Sequence, residues 1–306
     1  MTKRSKLEEA QKQILDPKKD LPFKRLFGTP ENRDILLSLI NAVLQYEEEI
    51  VAVEILNPYN VSKYDAGKDS ALDLKVVDEK GRLFAIEMQS YEDPFFFQRA
   101  LYYWAKVFSD QLGKAQKYGE LRRTIGIHIL NFNHLKEMDN YRNRFQILNI
   151  DEKEKTFYGM DFLQLYFIEL TKFPKSKNKE NDALKDWLNL FCNPDKALQN
   201  TDKIKTGEVR EAIEKLGTMK LTGEEKELFL AREKWEIEHG NMLAQMKERG
   251  RKMGVEEGIK KGREEGIATG QRQAAIKLAK SLKEDGMSPE KIASLTSLTK
   301  DEIEKL

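Results

Sequence analysis

Hydrophobic and polar positions change their period several times along the chain, and each change marks an element. Asn32 to Leu44 carries Ile35, Leu36, Leu39, Ile40, Val43 and Leu44, the i, i+3, i+4 stripe of a helix with one buried face. Ile50–Leu56, Ala71–Val77 and Leu83–Gln89 then read as strands, and a long helix runs from about Pro94 to Leu112. Arg122–Phe132, with Thr124-Ile125-Gly126-Ile127-His128-Ile129-Leu130 at its centre, is apolar and β-branched enough for a central strand. Phe162–Leu170 is a further strand. The order αβββαβ…β predicts an α/β or α+β body with helices packed on a mixed sheet.

Of the 28 aromatic residues, 26 lie between Phe23 and Phe191, which places one compact domain at 16–192, after a flexible segment at 1–15. Residues 193–222 read as a helical linker, 223–285 as a long charged helix and 286–306 as a small helical tail. In the long helix Gly250, Gly254, Gly258, Gly262, Gly266 and Gly270 recur every four residues. Each helix-interior glycine costs about 1 kcal/mol relative to alanine. Compensation comes from close approach of a second helix, so the repeat predicts a homo-oligomer, with a hinged linker as the alternative. In the tail, Ser288-Pro289-Glu290 supplies N-cap, first-turn proline and acid, and Thr299-Lys300-Asp301-Glu302 spells a capping box.

Charge adds density without a field: 53 Lys and Arg against 52 Asp and Glu make 34 % of the chain charged and leave a net +1. Residues 223–285 hold 14 of those basic and 13 of those acidic side chains, so the extension accounts for much of the density. A single cysteine, Cys192, argues against a disulfide scaffold. With no long apolar run, the expectation is a cytoplasmic chain that neither spans nor anchors in a membrane.

Candidate chemistry converges on one hairpin, Leu72–Val77 followed by Leu83–Gln89. Alternation puts Leu72, Leu74, Val76, Phe84, Ile86 and Met88 on one face and Asp73, Lys75, Glu87 and Gln89 on the other. Asp78-Glu79-Lys80-Gly81-Arg82 suits a type I turn ending in a left-handed glycine, a register that sets Asp73 directly across from Glu87. Opposed carboxylates repel unless a cation lies between them, and a hard divalent cation takes such oxygen ligands. The alternative is a polar hairpin face washed by solvent.

Asp73 and then Glu87-Met88-Gln89 after a short turn, with a helix before and after, resembles the PD-(D/E)XK nuclease core. Together with Asp20-Leu21-Pro22-Phe23-Lys24-Arg25-Leu26-Phe27-Gly28, Arg99-Ala100-Leu101-Tyr102-Tyr103 and Ile127-His128-Ile129-Leu130-Asn131-Phe132, the set is similar to the Rpn family of recombination-promoting nucleases, also described as putative transposases. That resemblance covers about residues 16–175. It implies a restriction-endonuclease-like core and Mg²⁺- or Mn²⁺-dependent cleavage of DNA phosphodiesters with little sequence preference, linked to recombination or mobile elements. Asp73, Glu87 and the Met88 carbonyl would be the metal ligands and Gln89 would stand beside the attacking water. Gln89 departs from the lysine of the wider superfamily; Lys75 and Lys68 are candidates to replace the missing cation, with solvated lysines as the alternative. Gln98, Arg99 and Tyr102 are auxiliary candidates, and Asp20 is either a further acid near the ion or a helix cap. A protein that keeps the fold but is catalytically weak or inactive, working through its helical extension, is the alternative reading.

Overall fold

The computed structural model describes residues 14–46, 49–59, 72–152, 160–175 and 181–306. Most of the segment before Asp16, the start of the strand expected from Ala71 and the middle of the polar stretch after Lys175 lie outside those residues. Two compact units divide the chain, 1–233 and 234–306.

The first unit opens with α1 (Asp20–Phe27) and α2 (Arg33–Leu44), the latter on the predicted stripe with Ile35, Leu36, Leu39 and Ile40 buried. Six strands follow: β1 (Val53–Ile55), β2 (Leu74–Asp78), β3 (Leu83–Gln89), β4 (Thr124–Leu130), β5 (Arg142–Gln146) and β6 (Leu163–Glu169). Helix α3 (Phe96–Ser109) crosses from β3 to β4, which pair in parallel, as such a connection requires. The sheet order is β1-β2-β3-β4-β6-β5, with β4 and β6 also parallel and the other pairs antiparallel. This is the mixed sheet flanked by helices that the sequence predicts. Strand β5, Arg-Asn-Arg-Phe-Gln, escapes sequence reading because it is an edge strand with no apolar alternation.

Helices cover both sheet faces. Leu74, Val76, Phe84, Ile86, Met88, Ile125, Ile127 and Ile129 point into the main core with α1, α2, α4 (Asp182–Cys192) and α6 (Gly207–Thr218). Phe96, Ala100, Leu130, Leu165 and Phe167 build a second cluster under α3, beside Leu83, Ala85 and Val107. The stretch read as a linker after Cys192 in fact belongs to the main core, through Ala197 of α5 (Pro194–Gln199), Ile204, and Val209, Ala212, Ile213 and Leu216 of α6. Its contribution is aliphatic, so an aromatic count misses it.

Helix α7 (Gly223–Glu284) begins at a reciprocal cap in which Glu225 accepts from the Thr222 amide at 2.9 Å while the Thr222 hydroxyl accepts from the Glu225 amide at 3.2 Å. Glu225 also accepts from Arg25 at 3.1 Å and from the Tyr59 hydroxyl at 2.9 Å. Within the second unit, α8 (Pro289–Thr296) and α9 (Lys300–Glu304) enclose a small core of Ala279, Ile292, Leu298 and Ile303. The Thr299–Glu302 capping box forms, whereas Ser288 occupies the N-cap position without a side-chain bond.

Candidate active site

The hairpin turn decides the register. Gly81 sits at φ +75°, a conformation open to glycine at little cost, and its amide donates to the Asp78 carbonyl at 3.0 Å. Leu74 then faces Ile86 and Val76 faces Phe84, the expected pairing. Strand β2 begins one residue after Asp73, but the carboxylate still crosses to the partner strand: its Oδ2 accepts from the Met88 amide at 2.9 Å. Leu72, by contrast, leaves its predicted face and packs toward Leu83, Ala85 and Val107.

Glu87 is 4 % exposed, since α3 covers its side of the sheet, so this is not a solvent-washed face. Parallel pairing of β3 with β4 sets Glu87 beside His128, whose Nδ1 lies 3.3 Å from Oε2 without an aligned hydrogen bond. The His128 ring is enclosed by Phe96 and Phe167. Gln89 donates its amide to Glu87 Oε2 at 3.3 Å, and its Oε1 accepts from Arg99. Burial pushes the Glu87 carboxyl up, but His128, Arg99 and the Gln89 amide more than offset it and leave the group below its ordinary value.

The cation at Asp73 is Lys24. From α1 its ammonium reaches Asp20 Oδ1 at 2.7 Å and Asp73 Oδ1 at 3.3 Å. Burial lowers the Lys24 pKa, yet Asp73 and Asp20 together hold it above the ordinary lysine value. Asp73 is pushed up to about 7, chiefly by burial; Lys24 pulls it down, while Asp20 and Glu87 add to the rise. Asp20 therefore does not cap α1. It occupies the first helical position, four residues before Lys24 on the same helix face, and Lys19 is the cap residue.

The other candidates fall into place around this pair. Arg99 is engaged by Gln89 on one side and by Asp93 at 3.1 Å on the other, so it fixes the glutamine instead of standing free for a phosphate. Gln98 and Tyr102 are exposed on α3, and among the described residues no recorded hydrogen bond joins either to the carboxylates. Lys75 pairs with Ala85 in the hairpin, and no recorded ion pair links its ammonium to Asp73 or Glu87. Lys68 lies outside the described residues. Sequence reasoning missed Lys24 and His128 as members of the site, although the Asp20-x-x-x-Lys24 spacing signalled the first.

The donors are those of a hard cation: the Glu87 carboxylate in β3, the Asp73 carboxylate held on the next amide of that strand, and the Met88 carbonyl. Among the described residues no three His, Cys, Asp or Glu side chains converge as a ready metal cage. Mg²⁺ and its like ordinarily take one or two carboxylates and complete their shell with water and substrate phosphate, so the residues present fit such an ion.

A family model described as PD-(D/E)XK nuclease family transposase matches residues 17–246. The chain belongs to this family. The match takes in the whole sheet, both carboxylates of the hairpin and the start of α7. No curated protein and no solved structure matches the chain. Membership makes the mixed sheet a PD-(D/E)XK fold and the protein one of nuclease or transposase character.

Proposed function

We propose that the protein is a divalent-metal-dependent deoxyribonuclease that hydrolyses backbone phosphodiesters with little sequence preference. The observation that supports this reading is that Asp73, just before β2, accepts from the Met88 amide next to Glu87 in β3, so the two carboxylates meet at one end of the hairpin inside a PD-(D/E)XK fold. Asp73, Glu87 and the Met88 carbonyl would hold Mg²⁺ or Mn²⁺; when bound, such an ion polarises a phosphoryl oxygen and lowers the pKa of its water. The chain's own groups do the rest. The Met88 amide aims Asp73, and the His128, Gln89 and Arg99 neighbourhood keeps Glu87 ionised and so ready to bind a cation.

Gln89 orients by hydrogen bonding alone, because a neutral amide adds no charge to the transition state. Lys24 is the ammonium best placed to supply it, a role the sequence had given to Lys75 or Lys68. It compensates the buried Asp73 and is also tethered to Asp20, so with an ion held at Asp73 the ammonium would keep its Asp20 partner and could offer charge to a phosphate. The near-zero net charge favours modest, salt-sensitive DNA binding. Cleavage of plasmid DNA that requires Mg²⁺ or Mn²⁺ and is lost in Asp73→Ala and Glu87→Ala tests the proposal.

Gln89 in the lysine position favours a second reading, a catalytically inactive member acting through its helical extension. An inactive scaffold need not bind the ion, so Mn²⁺ would leave its melting temperature unchanged, whereas an intact site is stabilised by mass action.

A further inference from the structure

From Ala244 to Ala274 every side chain of α7 is exposed, including Met246, Met253, Val255, Ile259 and Ile267. A β-carbon added at any of the six period-four glycines meets nothing within 4 Å. Such a segment has neither the helix propensity nor the tertiary packing that ordinarily holds a helix together. What it does have is a charge pattern that alternates in blocks: Arg251-Lys252, then Glu256-Glu257, then Lys260-Lys261, then Glu264-Glu265.

That alternation is self-complementary as a closed pair in the antiparallel orientation. We propose that α7 pairs with α7 of a second copy as an antiparallel dimer whose two-fold axis passes at Gly258. In this register Gly254 of one copy faces Gly262 of the other. Arg251 comes opposite Glu265, Lys252 opposite Glu264 and Glu256 opposite Lys260. Seven residues turn through about 700°, so Arg251 and Glu265 lie within about 20° of the direction of Gly258, and each four-residue glycine step drifts only about 40°. Glycines and the Arg251–Glu265 pair thus share one face, whereas Lys252 with Glu264 and Glu256 with Lys260 lie about 120° and 160° away from it and flank or back the seam. Val255 covers Gly262 of the second copy, where the missing side chain gives it room, and Lys261, now paired within its own helix to Glu257 at 3.0 Å, comes within reach of the second copy's Glu257.

Competing arrangements fail on the same charges. A parallel in-register pair sets Arg251 against Arg251, Glu257 against Glu257 and Lys261 against Lys261. Moving the antiparallel axis to residue 256 sets Arg251 against Lys261 and Lys252 against Lys260. A parallel pair offset by four residues restores attraction, but it leaves each copy with an unsatisfied end and builds open filaments instead of a closed dimer.

Cross-linking of the full chain in a Cys192→Ser background reads the register directly. Gly254→Cys chains mixed with Gly262→Cys chains under reduction, then mildly oxidised, are expected to form a disulfide-linked dimer, while each variant alone stays uncross-linked. Self-cross-linking of Gly254→Cys, or no cross-link in the mixture, overturns the register. Light scattering supplies the independent arm: Arg251→Glu is expected to shift the dimer toward monomer by at least tenfold in dissociation constant, and Arg251→Glu with Glu265→Arg to restore it. An unmodified chain that runs as a monomer at tens of micromolar, or a double variant no better than the single, contradicts the proposal.

Discussion

Replacing Lys24 with methionine tests the electrostatics of the site, because an unbranched apolar side chain of similar size takes the place of the ammonium. Methionine keeps the unbranched stem, one atom shorter, and removes the ammonium with its charge and donors; in the native chain that ammonium lies 3.3 Å from one oxygen of a buried carboxylate and 2.7 Å from Asp20. Leaving a buried charge uncompensated costs roughly 3–5 kcal/mol. Asp73 has an escape, since its carboxyl titrates at about 7 even with Lys24 beside it. Taking up a proton at pH 8 therefore costs only about 1.4 kcal/mol for the one unit involved. With the lost Asp20 contact included, the metal-free variant should be destabilised by about 1.5–3 kcal/mol at pH 8. For a unit of this size that is a drop of about 3–12 °C in melting temperature. At pH 6 Asp73 is already largely protonated in the native chain, so the loss should be smaller, with mainly the Asp20 contact left to lose. Mn²⁺ should then raise the melting temperature of Lys24→Met at least as much as that of the native chain, because the ion no longer competes with an ammonium for Asp73. Differential scanning calorimetry at the two pH values, with and without Mn²⁺, reads all of this. An equal loss at pH 6 and pH 8, or a variant that no longer responds to Mn²⁺, refutes the reasoning.

Three further outcomes follow from the same geometry. The raised Asp73 pKa means that the folded chain binds a proton between about pH 4 and 7 that the unfolded chain has released, so this group removes stability as pH rises through that window; Asp73→Asn should flatten that part of the stability curve and abolish the Mn²⁺ shift, both measurable by thermal melts from pH 5 to 8. Glu87 has the opposite sign, its lowered pKa giving stability that is present above the ordinary glutamate range and lost on acidification; His128→Leu should cost more at pH 7 than at pH 4 in urea titrations, and an equal cost at both would remove His128 as the cause. Gln89→Lys, which restores the superfamily residue, should not raise activity: Arg99 loses its acceptor and meets a second cation, costing about 1 kcal/mol, and a large gain in cleavage would show that Gln89 is not held by Arg99.

Much of this site was legible in the sequence where the relevant physics is local. The Asp78–Arg82 turn and the alternation of Leu74, Val76, Phe84 and Ile86 were enough to set the β2–β3 register, because a two-stranded register follows from turn geometry alone, and Asp73, one residue before β2, reaches the Met88 amide beside Glu87. Lys24 stayed hidden as the partner of Asp73 because 49 residues and a helix-to-strand packing step separate them; only its i, i+4 relation to Asp20 is local. His128 reads as a core residue in an apolar strand, and it is one, yet the parallel pairing of β3 with β4 also sets it beside Glu87. Lys75 is on the predicted face by alternation, but among the described residues Asp73 pairs with Lys24, from a helix in another layer. The aliphatic faces of α5 and α6 join the main core by tertiary packing that no aromatic marker announces.

The account rests on Asp73 and Glu87 forming the metal-dependent centre of a nuclease, and the most direct measurement is the rate of plasmid cleavage by the purified full chain. With Mg²⁺ or Mn²⁺ the native chain should nick and linearise supercoiled DNA, and chelation should stop it. Asp73→Asn and Glu87→Gln, which keep shape and remove charge, should each lower the rate by at least about 10²-fold, the size expected when a group stabilising transition-state charge is lost. Cleavage that persists in chelator, or that proceeds equally in both variants, would contradict the central claim.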